Sequence, residues 1–241
     1  DPNGPAGMLV TLTSRGAAVE RIELASGSFL DQDDRSGYIG HLAPEEVQGE
    51  GCRIGVVGPG TPADRAGLRA GDIITKLGGV ATPDPRRLHA ALASSHPGDS
   101  VAVEVRRDGQ TITRDVVLAR RPLEVVRPEY RTQPVVDPDA EPCDPLSFRL
   151  SLETRDGAKR SEPLLEIPGQ QLADRDWQVE PTDAADRVRF TRRLSGGLTV
   201  AKEYRLVTAV ADADTKAPAD DAPRQRLELV VELIGGERPS R

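Results

Sequence analysis

Apolar and polar positions alternate towards both ends of the chain and again in its middle, a pattern that predicts a mainly β protein. Met8, Val10 and Leu12 alternate with Leu9, Thr11 and Thr13. The turn Ser14-Arg15-Gly16 follows, then Val19, Ile22 and Leu24, which together predict a hairpin. Towards the other end, Leu146, Phe148, Leu150 and Leu152 share one parity. Val188, Phe190 and Arg192 lead into Ser195-Gly196-Gly197, Leu198, Val200, Tyr204 and Leu206 lead out of it, and Leu227, Leu229, Val231 and Leu233 predict a last strand. Four strands cannot bury both faces alone. The hairpin Met8–Leu24 is therefore expected to join this region in one sheet system, with the middle of the chain inserted between nearby ends.

The middle is the most specific stretch. Thr61 suits a helix N-cap, Pro62 the first helical turn and Gly67 the left-handed residue that ends it, after which Gly71-Asp72 turns the chain into the strand of Ile73 and Ile74. Pro85 to Ala93 predicts a second helix with Leu88, Ala91 and Leu92 on one face, closed by Pro97-Gly98-Asp99. Val101, Val103 and Val105 then alternate into the turn Arg107-Asp108-Gly109-Gln110, and Ile112 to Leu118 returns as the partner strand. A strand through His41, Leu42 and Ala43 and another carrying Ile54, Val56 and Val57 complete the expected unit.

The run Thr61–Ile74 with Thr75-Lys76-Leu77-Gly78-Gly79 resembles the core of a bacterial PDZ domain of the kind found in periplasmic proteases. Gly37-Tyr38-Ile39-Gly40 resembles its carboxylate-binding loop. The resemblance implies a peptide groove in which the N–H groups of Tyr38, Ile39 and Gly40 receive a terminal carboxylate. His41 and Leu42 would pair with the peptide backbone, and Leu88 and Leu92 would line a pocket for an apolar terminal side chain, so that an acidic residue at Leu88 would abolish binding. Val10–Leu24 and the stretch Phe190–Leu206 followed by Leu227–Leu233, with Lys202-Glu203-Tyr204 within it, resemble the periplasmic domain of YidC-type membrane protein insertases. That resemblance implies a β-sandwich of the galactose-mutarotase-like supersandwich kind, of which the chain covers part, carrying the inserted α/β PDZ domain. The expected organisation is residues 1–35 as the sandwich's hairpin, 36–122 as the insert, 123–145 as a Pro-rich connector and 146–241 as the rest of the sandwich. The implied role is a non-catalytic, chaperone-like segment on the periplasmic side of the bacterial inner membrane. Its partners would be client membrane proteins, translocon components or peptides. The alternative is the PDZ-bearing regulatory segment of a periplasmic or membrane-bound protease.

Composition narrows the chemistry. A formal charge of −7 argues against a nucleic-acid partner, which needs a concentrated basic face. No run of about 18 apolar residues exists, so the chain is expected to be a soluble segment or processed product, one that a membrane-anchored protein could carry. Aromatic residues make up 3 %, which leaves the core to Val, Leu, Ile and Ala. Cys52 and Cys143 read as unpaired thiols, their pairing left open by sequence alone. His41, His89 and His96 lack ligand spacing, and Asp31, Asp33 and Asp34 lack the glycine and glutamate of a calcium loop, so no metal and no cofactor is expected. Ser195-Gly196-Gly197 lies inside an alternating hairpin and reads as a β-turn rather than a nucleophile turn. No His-Glu-x-x-His is present, so the segment is expected not to be an enzyme.

Overall fold

The computed structural model describes residues 7–24, 29–126, 146–154, 165–166, 171–182, 184, 186–195, 197–209 and 224–235. The Pro-rich stretch after Val126, Cys143 and the acidic loop before Arg224 lie outside them. The strands are β1 (Met8–Thr13), β2 (Ala18–Leu24), β3 (Glu45–Val47), β4 (Gly51–Arg53), β5 (Ile73–Leu77), β6 (Val80–Ala81), β7 (Ser100–Arg107) and β8 (Gln110–Val117). They continue with β9 (Leu123–Val126), β10 (Glu153–Thr154), β11 (Leu165–Glu166), β12 (Gln178–Glu180), β13 (Arg187–Arg193), β14 (Thr199–Ala209) and β15 (Arg224–Ile234). Two short helices, α1 (Pro62–Arg65) and α2 (Pro85–Ala93), complete the elements, so the fold is mainly β. Among the described residues, no helix is long and apolar enough to cross a membrane.

The chain divides into two compact units, one of Leu24–Leu123 and one that draws on Pro5–Glu23 and Glu124–Arg241. In the first, a sheet of order β3-β4-β5-β7-β8, with β6 on β5, wraps a core that includes Ile39, Ile54, Ile74, Leu88, Val103 and Val105. The capping chemistry sets both helices: the Thr61 hydroxyl accepts from the Asp64 N–H at 3.3 Å and the Asp84 carboxylate from the Arg87 N–H at 2.9 Å. The strand expected at Ile54–Val57 is displaced, since β4 ends at Arg53 and the Ile54 N–H goes to the Asp72 carbonyl. Asp72 ties the turn after α1 to β7. Its carboxylate accepts two bonds from the Arg107 guanidinium, at 2.6 and 2.7 Å, and one from the Arg69 N–H at 2.8 Å. Burial alone would raise the Asp72 carboxyl, but these donors hold it below the ordinary carboxylate range.

In the second unit, the hairpin β1-β2 takes β9 as its third strand, while β12-β13-β14-β15 form a separate four-stranded sheet. The single sheet system expected from the alternation is thus two sheets that share a core around Val19, Leu172, Trp177, Phe190, Val200 and Tyr204. The alternation at Leu146–Leu152 does not make a strand. Phe148 sits at φ +62°, which breaks the extended run, and its carbonyl is drawn inward.

What draws it is Lys202, fully buried on β14. Its ammonium donates to the carbonyls of Gly16 at 2.9 Å, Ala17 at 3.1 Å and Phe148 at 2.6 Å, and lies 5.4 Å from the Trp177 ring centre. Three N–H donors meet three backbone acceptors and an aromatic face, so the charge is solvated by the protein. The Tyr204 hydroxyl donates to Ala17 O at 2.7 Å, which reinforces the same turn. Ala17 itself, at φ +45°, carries backbone strain that these bonds offset.

Lys202→Met should cost this unit about 2–4 kcal/mol, because it leaves the buried Gly16 carbonyl, and the part-buried Phe148 carbonyl, without a donor. The pH dependence follows. Burial pushes the Lys202 ammonium down to about 8 from an ordinary 10.5, so the unfolded chain binds more protons between those values. Unfolding free energy should therefore rise from pH 8 towards 9.5, and Lys202→Met should flatten that rise. Above that range Tyr204, whose hydroxyl burial pushes well up, works in the opposite sense. Denaturant titrations across the range check both, and a wild-type curve that stays flat from pH 8 to 9.5 would contradict the assignment.

Candidate functional site

The candidate carboxylate loop is held at its N-terminal side by the rest of its own unit. The Gly37 N–H donates to the Ser95 carbonyl at 3.0 Å, just beyond α2. Tyr38 exchanges two backbone bonds with Ala119, both at 2.9 Å, and the Arg121 guanidinium stacks 5.6 Å from its ring centre. A side chain at Gly37 would strike Leu118 Cδ1 at 2.5 Å and Ser95 Oγ at 2.6 Å, so only glycine allows the loop to lie this close. Gly40 is at φ +122°, with Thr61 Cβ 3.0 Å from where its own Cβ would be, so both conformation and space call for glycine.

These ties sort the predicted donors. The Tyr38 N–H is committed to Ala119. Among the described residues, the Ile39 and Gly40 N–H groups have no protein acceptor, while the Ile39 carbonyl accepts from Ala63 at 2.9 Å. Beyond them, the Leu42 carbonyl accepts from Gly55 at 2.9 Å and Val56 at 3.1 Å, and Ala43 takes φ +42°. The segment His41–Ala43 is therefore an irregular extended stretch rather than the strand its sequence suggests. His41 is half-buried within it.

Helix α2 forms the facing wall, and its two leucines separate. Leu88 is 1 % exposed and belongs to the core with Ile39, Ile74 and Val103. Leu92, one turn on, is half-buried against that core, and its carbonyl accepts from the Ser95 hydroxyl at 2.6 Å. An acidic residue at Leu88 would thus test folding, while Leu92 is the position with surface to offer a ligand. The sequence reading missed Ser95 and Ala119, which position the loop, and read Thr61 only as a helix cap, not as the neighbour of Gly40. The turn signal Pro97-Gly98-Asp99 marked where α2 ends but not what its last carbonyls would hold.

Other candidates are structural. Cys52 is buried with its thiol directed at the Thr82 carbonyl at 3.5 Å, and burial, with Asp84 and Glu46 nearby, pushes it up to about 11, so it is a poor nucleophile. Ser195 is exposed in the β13–β14 turn, where Leu194 donates to Leu198 at 2.7 Å. His96 stands exposed beside Asp99. Among the described residues, no group of three or more His, Cys, Asp or Glu side chains could hold a metal ion.

Comparison with known proteins places these features. The PDZ domain model matches residues 28–118, so the chain carries a PDZ domain there. Its relatives include the serine protease Do-like HtrA of Lactococcus lactis subsp. lactis, 43 % identical over 77 residues, which covers 32 % of this chain and 19 % of that protein. The magnetosome formation protease MamE of Magnetospirillum gryphiswaldense is 28 % identical over 238 residues, covering 92 % of this chain and 30 % of that protein. A probable periplasmic serine endoprotease, DegP-like, of Rhizobium meliloti is 32 % identical over 73 residues, covering 30 % of this chain and 14 % of that protein. The chain thus spans a minor part of the length of each. Among solved structures it is similar to a serine endoprotease from Yersinia pestis, with TM-score 0.32 and 29 % identity, covering 37 % of this chain and 31 % of that one. It is also similar to the HtrA3 PDZ domain bound to a phage-derived ligand, with TM-score 0.26 and 28 % identity, covering 32 % and 63 %.

These findings correct the resemblance to a YidC-type insertase. The matched relatives are proteases and protease-like proteins, and the match to MamE extends over both flanks that suggested the insertase. The insertase and chaperone roles fall with it, as does the supersandwich. Alternating strands around a Ser-Gly-Gly turn are what any antiparallel sheet yields, so those flanking signals did not specify a family.

Leu88→Ala should cost the PDZ unit about 2–5 kcal/mol, and Leu92→Ala clearly less, because only the first empties a filled core site. Denaturant unfolding of both variants checks this, and equal losses would return Leu88 to the groove wall.

Proposed function

We propose that this segment captures the C-terminal ends of apolar peptides in its PDZ groove and serves as a regulatory, non-catalytic part of an HtrA-type protease-like protein on the periplasmic side. The observation that carries the reading is the pair of N–H groups at Ile39 and Gly40, without an acceptor among the described residues and presented by a loop whose neighbours are fixed. Two successive N–H groups without an acceptor in the fold are donors that a carboxylate can take. Leu92 offers an apolar surface for the peptide's last side chain. The protease relatives support the setting, and the DegP-like relative's periplasmic name supports the compartment.

Titration with an apolar peptide bearing a free carboxylate, and with the same peptide amidated, tests the reading. The free acid should bind at least about tenfold more tightly, the worth of a charge-assisted hydrogen bond or two. Gly40→Val should remove that preference, since its side chain meets Thr61. Equal affinity for acid and amide would sink carboxylate recognition. Absence of catalysis is checked separately: the chain should not turn over casein, and turnover lost in Ser195→Ala would overturn that part.

A further inference from the structure

We propose that two copies of this chain associate about a two-fold axis by antiparallel pairing of β15 with β15, joining their four-stranded sheets into one of eight strands. Strand β15 lies at the end of the order β12-β13-β14-β15, and among the described residues it pairs only with β14. It runs eleven residues without proline or lysine, the length and composition of an edge that natural proteins otherwise shorten or block. Its core-facing row begins with Leu227 and Leu229, which pack on the unit's core, and continues with Val231 at 43 % and Leu233 at 62 % exposure. Apolar surface continuous with the core is thus left uncovered along an open edge.

The occupant is identified by register. Antiparallel pairing of two identical strands places residues i and j opposite each other at a constant sum, and only even sums keep the core-facing rows of both copies on one side. The register centred on Leu229 pairs all eleven residues of Arg224–Ile234 with their counterparts. It sets Arg226 opposite Glu232 twice, Leu227 opposite Val231 twice, and Leu229 opposite itself on the axis. Arg226 and Glu232 side chains are 65 % and 46 % exposed, so each has surface left for a second partner beyond Glu228 and Arg189 of its own chain. Neighbouring even registers shorten the pairing by two residues and set like charges opposite each other. Centring on Glu228 places that carboxylate opposite itself on the axis, although it also sets Arg224 opposite Glu232 twice, and centring on Val230 sets Glu228 against Glu232 twice. Like charges directly opposite destabilise a sheet pair, whereas opposite charges and apolar pairs stabilise it. The register with full overlap is also the one that combines opposite-charge pairs with no like-charged pair, and an interface that answers to itself in this way is isologous.

Sedimentation velocity on the 241-residue chain, from about 1 to about 100 µM, tests the proposal. The wild type should be a dimer at the upper end. Arg226→Glu and Glu232→Arg should each weaken it at least tenfold by placing like charges opposite each other, and the two together should restore it to within about threefold of wild type. Val230→Pro, with circular dichroism to confirm the fold, should abolish it. A wild type that stays monomeric at 100 µM overturns the proposal. So does a dimer indifferent to these changes, or one that the single charge reversals weaken and the double reversal fails to rescue.

Discussion

The geometry of the PDZ unit turns on where the loop Gly37–Gly40 is fastened. Backbone bonds to Ser95 and Ala119 fix Gly37 and Tyr38, and the Ile39 carbonyl is held by Ala63. Between these ties the Ile39 and Gly40 N–H groups find no acceptor among the described residues. Neither donor is used elsewhere in the described fold, so one bound carboxylate could take both. Glycine at positions 37 and 40 is the covalent condition for it. One lets the loop approach α2 and β8, and the other supplies a backbone angle that other residues resist.

A different solution holds the second unit. There the buried group is a full charge, and backbone carbonyls rather than a carboxylate compensate it. Lys202 reaches from β14 to the β1–β2 turn and to Phe148, so a single ammonium gathers segments far apart in sequence. Ion pairs add at the margins: Arg21 with Glu124 joins β2 to β9, and Arg189 collects Glu180, Glu203 and Glu232 across the outer face of the four-stranded sheet. The last of these sits in exposed surroundings and contributes little by itself.

The sequence was most informative where structure is local. The cap at Thr61, Pro85 at the start of the second helix, the left-handed Gly67 and the alternation of Val101, Val103 and Val105 each act within a few residues, and α1, α2 and β7 follow from them. It was least informative where a side chain meets backbone from elsewhere. Lys202 and Tyr204 stood out as a pair on one strand, yet their acceptors at Gly16 and Ala17 leave no mark in the side-chain pattern. Phe148 kept the parity of a strand while its backbone turned left-handed to reach Lys202. Helical spacing put Leu88 and Leu92 on one face without saying that the core fills the first and leaves the second at the surface. The groove donors were one too many, because the bridge from Tyr38 to Ala119 closes 81 residues of chain and no local signal announces it.

Carboxylate capture depends on which amides of that loop are available, and backbone amide NMR reads this directly. In the free protein, the Ile39 and Gly40 amide protons should exchange rapidly with solvent while that of Tyr38 is protected. Addition of an apolar peptide with a free carboxylate should move the Ile39 and Gly40 resonances downfield and slow their exchange, with Tyr38 nearly unchanged. Protection of Ile39 and Gly40 in the free protein, or a ligand shift that falls elsewhere on the unit, would contradict it.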